Sequence, residues 1–311
     1  MNLSNGCSLI WFRHDLRVRD QQTLTEAVKD AAHHQRPLLA VYFFEPRLTG
    51  ADRFGQERMG VYRAMFLLET LKAHKQDLRA LNIELLVLED DPRDALPALI
   101  KRVNAQRAFA SRHVTDEECE QELLIREQLK DVCPLSLYWT HTLYTQRQLP
   151  FSLGDLPDVY TQFRKKVERS ANVTEPLVPP QVLAPQLRWA LDSGEPQCQL
   201  SSLWSRWSER LQAHGLRDER AAILLAGGAE AGEARVHDYC WSKGHVERYK
   251  DTRNGLIGAD YSTKFSAWLS VGALSPRWVW WEVLRYEDER IANDSTYWVR
   301  FELLWREYFQ W

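Results

Sequence analysis

Up to Trp139 the chain alternates between short apolar runs of β-forming residues and longer stretches with helical periodicity. Residues 8–12, 37–44, 83–88, 108–111 and 135–139 read as strands, the second being a continuous apolar run of the kind seen when both strand faces are covered. Between them, Met59, Tyr62, Phe66, Leu67 and Leu71 recur at i, i+3, i+4 spacing on one long helix. Pro92, after the acidic pair Asp90 and Asp91, opens another helix where its missing N–H costs nothing, and residues 117–129 supply a third. A strand–helix repeat closes as a parallel sheet, because parallel neighbours need a crossover and that crossover is right-handed. The expectation is a doubly wound, Rossmann-like α/β domain with helices on both faces, over residues 1–140.

The rest of the chain follows different rules. Seven of the 13 prolines fall between residues 140 and 204, where periodicity is weak, so residues 141–204 read as a long connector packed on the domain surface. Within it, Val159, Phe163 and Val167 form a helical stripe beside Arg164, Lys165, Lys166 and Arg169, a helix with a solvated basic face. Eleven of the 13 tryptophans lie at or beyond Trp189. Gly227, Gly228 and Gly232 follow no strand, so they mark a turn ahead of a helix through Val236, Tyr239 and Cys240 and not a phosphate loop. Ser275 and Pro276 read as the N-cap and first residue of a helix with Val279, Val283 and Leu284 inward, and residues 298–311 form a further amphipathic helix. Residues 205–311 are therefore expected to be all-α.

At 311 residues and 44% apolar content the chain has room for two real cores. Its 40 basic and 43 acidic residues leave a net charge of −3, so any contact with nucleic acid has to be local. Cys7, Cys119, Cys133, Cys198 and Cys240 are an odd set without CxxC spacing, which predicts reduced thiols, no metal site and a cytoplasmic protein. No signal peptide and no 18-residue apolar stretch can be read, so no membrane partner is expected.

Residues 249–266 (YKDTRNGLIGADYSTKFS) carry the densest chemistry: Tyr249 and Arg253 on one turn, a Gly-bearing loop, then hydroxyls and a lysine opening a helix. Ser262, Thr263 and Ser266 can donate to phosphate oxygens, with Lys264 adding charge; the competing reading is an ordinary helix cap. On the last helix Glu302, Trp305 and Arg306 stand at i, i+3, i+4, putting a carboxylate, an indole and a guanidinium on one face suited to a planar polar ligand, or else a buried ion pair beside a core tryptophan.

Five stretches in order, LIWFRHDLRVRDQQTL from Leu9, YRAMFLLETLKAHKQDLRAL from Tyr62, LPDVYTQFRKKVE from Leu156, TRNGLIGADYSTKFSAWLSVGALSPR from Thr252 and ELLWREYF from Glu302, resemble the cryptochrome/photolyase family. DYSTKFS and DVYTQFRK are most similar to its DASH branch. The resemblance implies a blue-light flavoprotein with an α/β antenna domain and a helical domain holding FAD. It implies that Tyr249, Ser262, Thr263, Lys264, Phe265, Ser266 and Arg306 contact the cofactor. It also implies that Glu302 and Trp305 meet a flipped pyrimidine dimer and that Arg253 contacts the DNA backbone. The implied reaction is light-driven, electron-transfer repair of cyclobutane dimers, favoured in single-stranded DNA, by a protein that is monomeric when complete. The alternatives are a DNA-binding light sensor without repair, or an inactive remnant.

Two departures from the family pattern stand out. His113 takes a position where the family usually has a glutamate that holds a folate antenna (methenyltetrahydrofolate), which puts that second chromophore in question; Asp116 or Glu117 is a possible substitute. The chain also ends at Trp311, where family members continue through further helices of the flavin pocket, so Trp298, Phe301, Leu304, Trp305 and Trp311 are expected to form an exposed patch.

Overall fold

The computed structural model describes residues 6–189, 197–215, 221–223 and 225–311; Pro196 of the connector lies outside them. Five strands form one parallel sheet: β1 (Cys7–Phe12), β2 (Leu38–Phe43), β3 (Glu84–Leu88), β4 (Ala105–Ser111) and β5 (Leu135–Tyr138). Their order across the sheet is β3-β2-β1-β4-β5. Interleaved are α1 (Gln22–His33), the single turn α2 (Pro46–Thr49), α3 (Val61–Ala80), α4 (Pro92–Arg102) and α5 (Asp116–Leu129). Asp91 caps α4 by accepting from the Arg93 amide, with Pro92 in the first turn as its spacing requires.

Alternation along each strand divides the core. Ile10, Phe12, Ala40, Tyr42, Leu85 and Val87 face α1 and α3. Leu9, Trp11, Val41, Phe43, Ala108 and Ala110 face α4 and α5. The sheet grows one way from β1 through β2 to β3 and the other way through β4 to β5. Crossovers of one hand must then lay their helices on opposite faces.

Beyond β5 come α6 (Tyr160–Ser170), α7 (Leu200–His214), α8 (Ala229–His237), the turn α9 (Tyr249–Thr252), α10 (Ser266–Val271), α11 (Pro276–Glu289) and α12 (Asp294–Gln310). A five-residue π-helical turn, Asp238–Ser242, continues α8 and buries Tyr239 and Cys240. The intervening chain folds back on the sheet: the Leu183 amide donates to Leu81 O at 3.2 Å and the Gln199 amide to Val87 O at 2.8 Å. Ser275 caps α11 by accepting from the Trp278 amide at 3.2 Å. Helices α8, α11 and α12 share one continuous core with the α3 face of the sheet.

Three details differ from the sequence pattern. Tyr62 is 49% exposed, because α3 turns Val61, Ala64, Leu68 and Leu71 inward instead. Val159 is 54% exposed because it precedes the first turn of α6, leaving Phe163 and Val167 as its buried stripe. The aromatic patch on α12 is largely covered: Leu304 is fully buried, Phe301, Trp305 and Trp311 are half-buried against α6 and the chain after β5, and Trp298 is half-buried beneath Lys250 and Arg253. Phe309 is the large apolar residue of that helix left open, at 74% exposure.

Candidate functional site

The strand order reverses between β1 and β4, and the loops leaving those strands diverge to opposite faces. In open parallel sheets this is where a crevice forms beyond the carboxyl ends of the strands. Here the crevice is roofed by the helical part, giving a cavity of about 550 Å³. That is within the ~300–1,000 Å³ usual for small-molecule sites. One wall comes from the sheet: His14 after β1, His113 and Glu118 after β4, and His141 after β5. The other comes from Tyr249 on α9, Thr263, Phe265, Ser266 and Leu269 in and before α10, and Glu302, Leu303 and Arg306 on α12.

The hydroxyl segment is not an ordinary cap. Phe265 occupies the N-cap position of α10 and no side chain there accepts from the helix amides. Thr263, Phe265 and Ser266 line the cavity. Ser262 and Lys264 do not: the Ser262 carbonyl accepts from Arg235, and Lys264, in a left-handed conformation at φ 61°, lays its ammonium over the Tyr261 ring. Tyr249 lines the same wall and is 7% exposed; burial, with Glu302 nearby, pushes its hydroxyl up to about 12, so it is a hydrogen-bond donor at neutral pH.

Arg235 of α8 organises this segment. Its Nε donates to Thr263 O at 3.0 Å, its Nη2 to Ala259 O and Ser262 O at 3.2 Å each, and its Nη1 to Asp260 Oδ1 at 2.8 Å. One planar fork thus fixes four points of the loop ahead of α10, a task for which a lysine lacks the donors. The sequence reading missed this residue. Its signal, an arginine in a Gly- and Ala-rich helix, is indistinguishable from a solvated surface charge.

On α12 the three residues placed on one face separate into two groups. Glu302 and Arg306 line the cavity. Trp305 turns the other way and stacks on Tyr160 of α6, 3.5 Å between centroids and 14° between planes. Arg306 Nη1 donates to His141 O at 2.6 Å, tying the helix to the chain after β5, and burial lowers its pKa. Arg253 reaches Glu302 Oε1 at 3.4 Å and lies over the Trp298 ring. Neighbouring Glu307, fully buried, accepts from the Leu143 and Tyr144 amides and from Trp311 Nε1, so α12 is anchored at the site. Burial raises the Glu307 pKa.

The histidines converge as a group. His113 lies 5.2 Å from His14 edge to face and stacks on His141 at 4.8 Å. Burial, reinforced by Arg13, holds His14 down at about 4; burial with Arg306 nearby holds His141 at about 3, and burial pushes His113 well below the usual range. All three are neutral imidazoles at physiological pH. Two carboxylates lie beside them: Glu118 takes hydrogen bonds from Thr115 and Arg47, and Glu122 accepts from the His113 amide at 2.8 Å and pairs with Arg13; Glu117 is turned outward onto Arg47 and Arg58. Among the described residues no group of three or more His, Cys, Asp or Glu could hold a metal ion, and no helix is long and apolar enough to cross a membrane.

A doubly wound sheet roofed by a helical layer encloses a cavity at the switch point, and the DNA photolyase family matches residues 8–183. The chain belongs to that family. Within it, the similarity is to DASH cryptochromes: the chain is 41% identical over 310 residues to Cryptochrome DASH of Gloeobacter violaceus, covering 99% of this chain and 59% of the relative. It is 39% identical over 313 residues to the chloroplastic/mitochondrial Cryptochrome DASH of Arabidopsis thaliana, covering 98% and 52%. A cryptochrome structure from Synechocystis superimposes with a TM-score of 0.84 at 36% identity, covering 98% of this chain and 60% of that one. The chain thus spans little more than half the length of these relatives.

Proposed function

We propose that this chain forms the first part of a helical FAD site, and that the complete protein repairs cyclobutane pyrimidine dimers in single-stranded DNA under blue light. The observation that carries the reading is a hydroxyl-bearing segment, free of capping duty, that walls a 550 Å³ cavity together with Tyr249 and Arg306 in a chain of this family. Thr263 and Ser266 would donate to pyrophosphate oxygens, Tyr249 would add a phenolic donor, and Arg306 would supply the compensating charge. The Ser262 and Lys264 backbone shapes the loop that presents them. The flavin, when bound, supplies a photoexcitable one-electron donor.

The chain's own part in the reaction is binding and orientation. Glu302 would accept from the edge of an extruded base, Trp305, stacked on Tyr160 and Phe309, would pack against that base by giving up one of those ring contacts, and Arg253 would neutralise a backbone phosphate. An unpaired lesion needs less work to extrude, which favours single strands. No side chain has to act as a general base. We place the protein in the cytoplasm as a monomer, and leave the folate antenna out of this reading because the position expected to hold it carries a neutral, stacked His113.

The test is illumination of the flavin-loaded protein with dimer-containing single strands. Loss of dimers with light dose supports repair. Flavin and DNA binding without dimer loss assigns a light sensor, and a colourless chain that refuses added FAD overturns the reading.

A further inference from the structure

Leu256 is 89% and Ile257 93% exposed, the two most exposed large apolar residues among those described, and they are adjacent. Single aliphatics scattered over a surface need no explanation, but a neighbouring pair held this far out does. The loop keeps the pair out because both of its ends are fixed. On one side the Gly255 amide donates to Thr252 O at 2.8 Å, and a Cβ built at Gly255 would stand 3.0 Å from Tyr261 Cβ, so the two strands of the neck are in close contact. On the other side Arg235 holds Ala259, Asp260, Ser262 and Thr263. Residues 256–258 are therefore a short apolar tip on a braced neck.

That neck begins at Arg253, whose guanidinium reaches Glu302 Oε1 at 3.4 Å and, with the Lys250 ammonium, lies 5.0 Å from the Trp298 ring. Leu256 follows Arg253 by three residues, so their Cα atoms are within about 11 Å of each other. Lys264 adds a further cation over Tyr261. Asp251 is an exposed carboxylate on the same turn, while Asp260 is matched by Arg235 and Lys243, and Asp294 by Lys250. An apolar tip with cations at its base complements a polyanion that carries flat apolar groups, which describes a nucleic-acid strand. A membrane is the poorer match: two aliphatic side chains are less than one lipid chain, and one lipid chain anchors only marginally. Covering two such side chains is, by contrast, of the same order as unstacking one base step.

We propose that Leu256 and Ile257 form a wedge that packs against the base beside an extruded dimer and holds it unstacked, while Arg253 takes the neighbouring phosphate. This inference rests on the DNA reading above and deepens it: the chain not only receives a splayed lesion but keeps the strand open next to it.

The experiment titrates three forms of the chain in the dark: wild type, Leu256→Ser with Ile257→Ser, and Leu256→Met with Ile257→Met. The probes are a single strand carrying one thymine dimer next to 2-aminopurine, and its undamaged counterpart; affinity and 2-aminopurine emission are read over a range of salt. Wild type is expected to brighten the probe, because stacking quenches it. The serine pair should bind the damaged strand roughly tenfold more weakly and leave the probe dim, and the methionine pair should keep both properties. The salt slope of the serine pair should match wild type, since no phosphate contact is lost, whereas Arg253→Gln should lower it by about one. Both pairs should melt with wild type, and Val178→Ser, which removes another exposed aliphatic at 80% exposure, should leave affinity unchanged. Wild-type affinity and brightness in the serine pair, or a reduced salt slope in it, overturns the wedge alone. So does a serine pair that keeps its DNA binding but loses binding to vesicles of mixed phosphatidylcholine and phosphatidylserine, or loses self-association in sedimentation. A wild-type chain that binds neither strand overturns the DNA reading as well.

Discussion

Arg277 grips Asp20 through two parallel hydrogen bonds, Nη2 to Oδ1 at 2.6 Å and Nε to Oδ2 at 3.1 Å, across 257 residues of chain. Asp20 is fully buried, and also accepts from the Ser275 hydroxyl and the Leu177 amide. One carboxylate therefore fastens the loop after β1, the connector and the start of α11. Asp20→Ala would leave the Arg277 charge buried without its partner, and should cost about 3–5 kcal/mol in denaturant unfolding. Arg277→Met should cost a similar amount. Combining Asp20→Ala with Arg277→Met should recover part of the loss, and strict additivity would show that the pair is not coupled.

Gly272 ends α10 with φ 70°, and a Cβ built there would stand 2.0 Å from His14 O and 2.5 Å from Asp15 Cα. Its carbonyl accepts from Arg17 Nη1 at 2.9 Å, so the turn cannot simply lift away. Gly272→Ala combines backbone strain with a collision and should cost about 3 kcal/mol, along with the cavity wall that His14 supplies. Gly258 is the control: its φ is 92° but a Cβ meets nothing within 4 Å, so Gly258→Ala should cost only about 1–2 kcal/mol of backbone strain. Equal thermal shifts for the two would contradict the close approach.

The strands were legible because β-forming apolar runs such as residues 38–43 are buried on both faces and need no partner to be recognised. The hydroxyl-bearing side of the cavity was legible because Thr263 and Ser266 sit in one short hydroxyl-rich segment. The histidine wall was not: His14, His113 and His141 follow three different strands, and only the order β1-β4-β5 makes those strand ends neighbours. Spacing also misjudged phase at Tyr62 and Val159, since periodicity marks an apolar stripe but not which edge of it the sheet will cover. Trp305 shares its turn with Glu302 and Arg306, yet the choice between cavity and Tyr160 is made by where α6 lies, a tertiary fact.

Arg235 should control cofactor affinity through the loop and not through contact. Arg235→Met removes the fork from Ala259, Ser262 and Thr263, and should weaken FAD binding at least about tenfold, equivalent to roughly 1.4 kcal/mol. Arg235→Lys should recover little of it, because an ammonium cannot serve the separate carbonyls at once. Amide exchange should accelerate at residues 259–264 while β1 and β4 stay protected. Uniform acceleration would mean that Arg235 supports global stability instead.

His74 on α3 gives the cleanest reading of stability against pH, because it lies outside the cavity. It is 1% exposed, edge-on to Phe12 at 4.5 Å, with no hydrogen-bond partner on either nitrogen, and burial lowers its pKa to about 3. In the unfolded chain it titrates near its ordinary value of about 6.5. Between those two values the unfolded state binds the extra proton, so stability rises with pH across this window and is lost on acidification below about 6.5. Burial of Asp15 and Glu307, whose pKa values are raised, acts in the opposite sense: their folded forms hold protons longer, and that contribution fades as pH rises through their folded values. Both terms are common to wild type and His74→Leu, so the difference between the two isolates one imidazole. The variant's acid limb should be shallower by up to about 1.4 kcal/mol per pH unit below pH ~6.5, and its advantage over wild type should grow from pH 7.5 to pH ~5. Parallel limbs would mean that the His74 ring takes up its proton without unfolding, which its packing against Phe12 forbids.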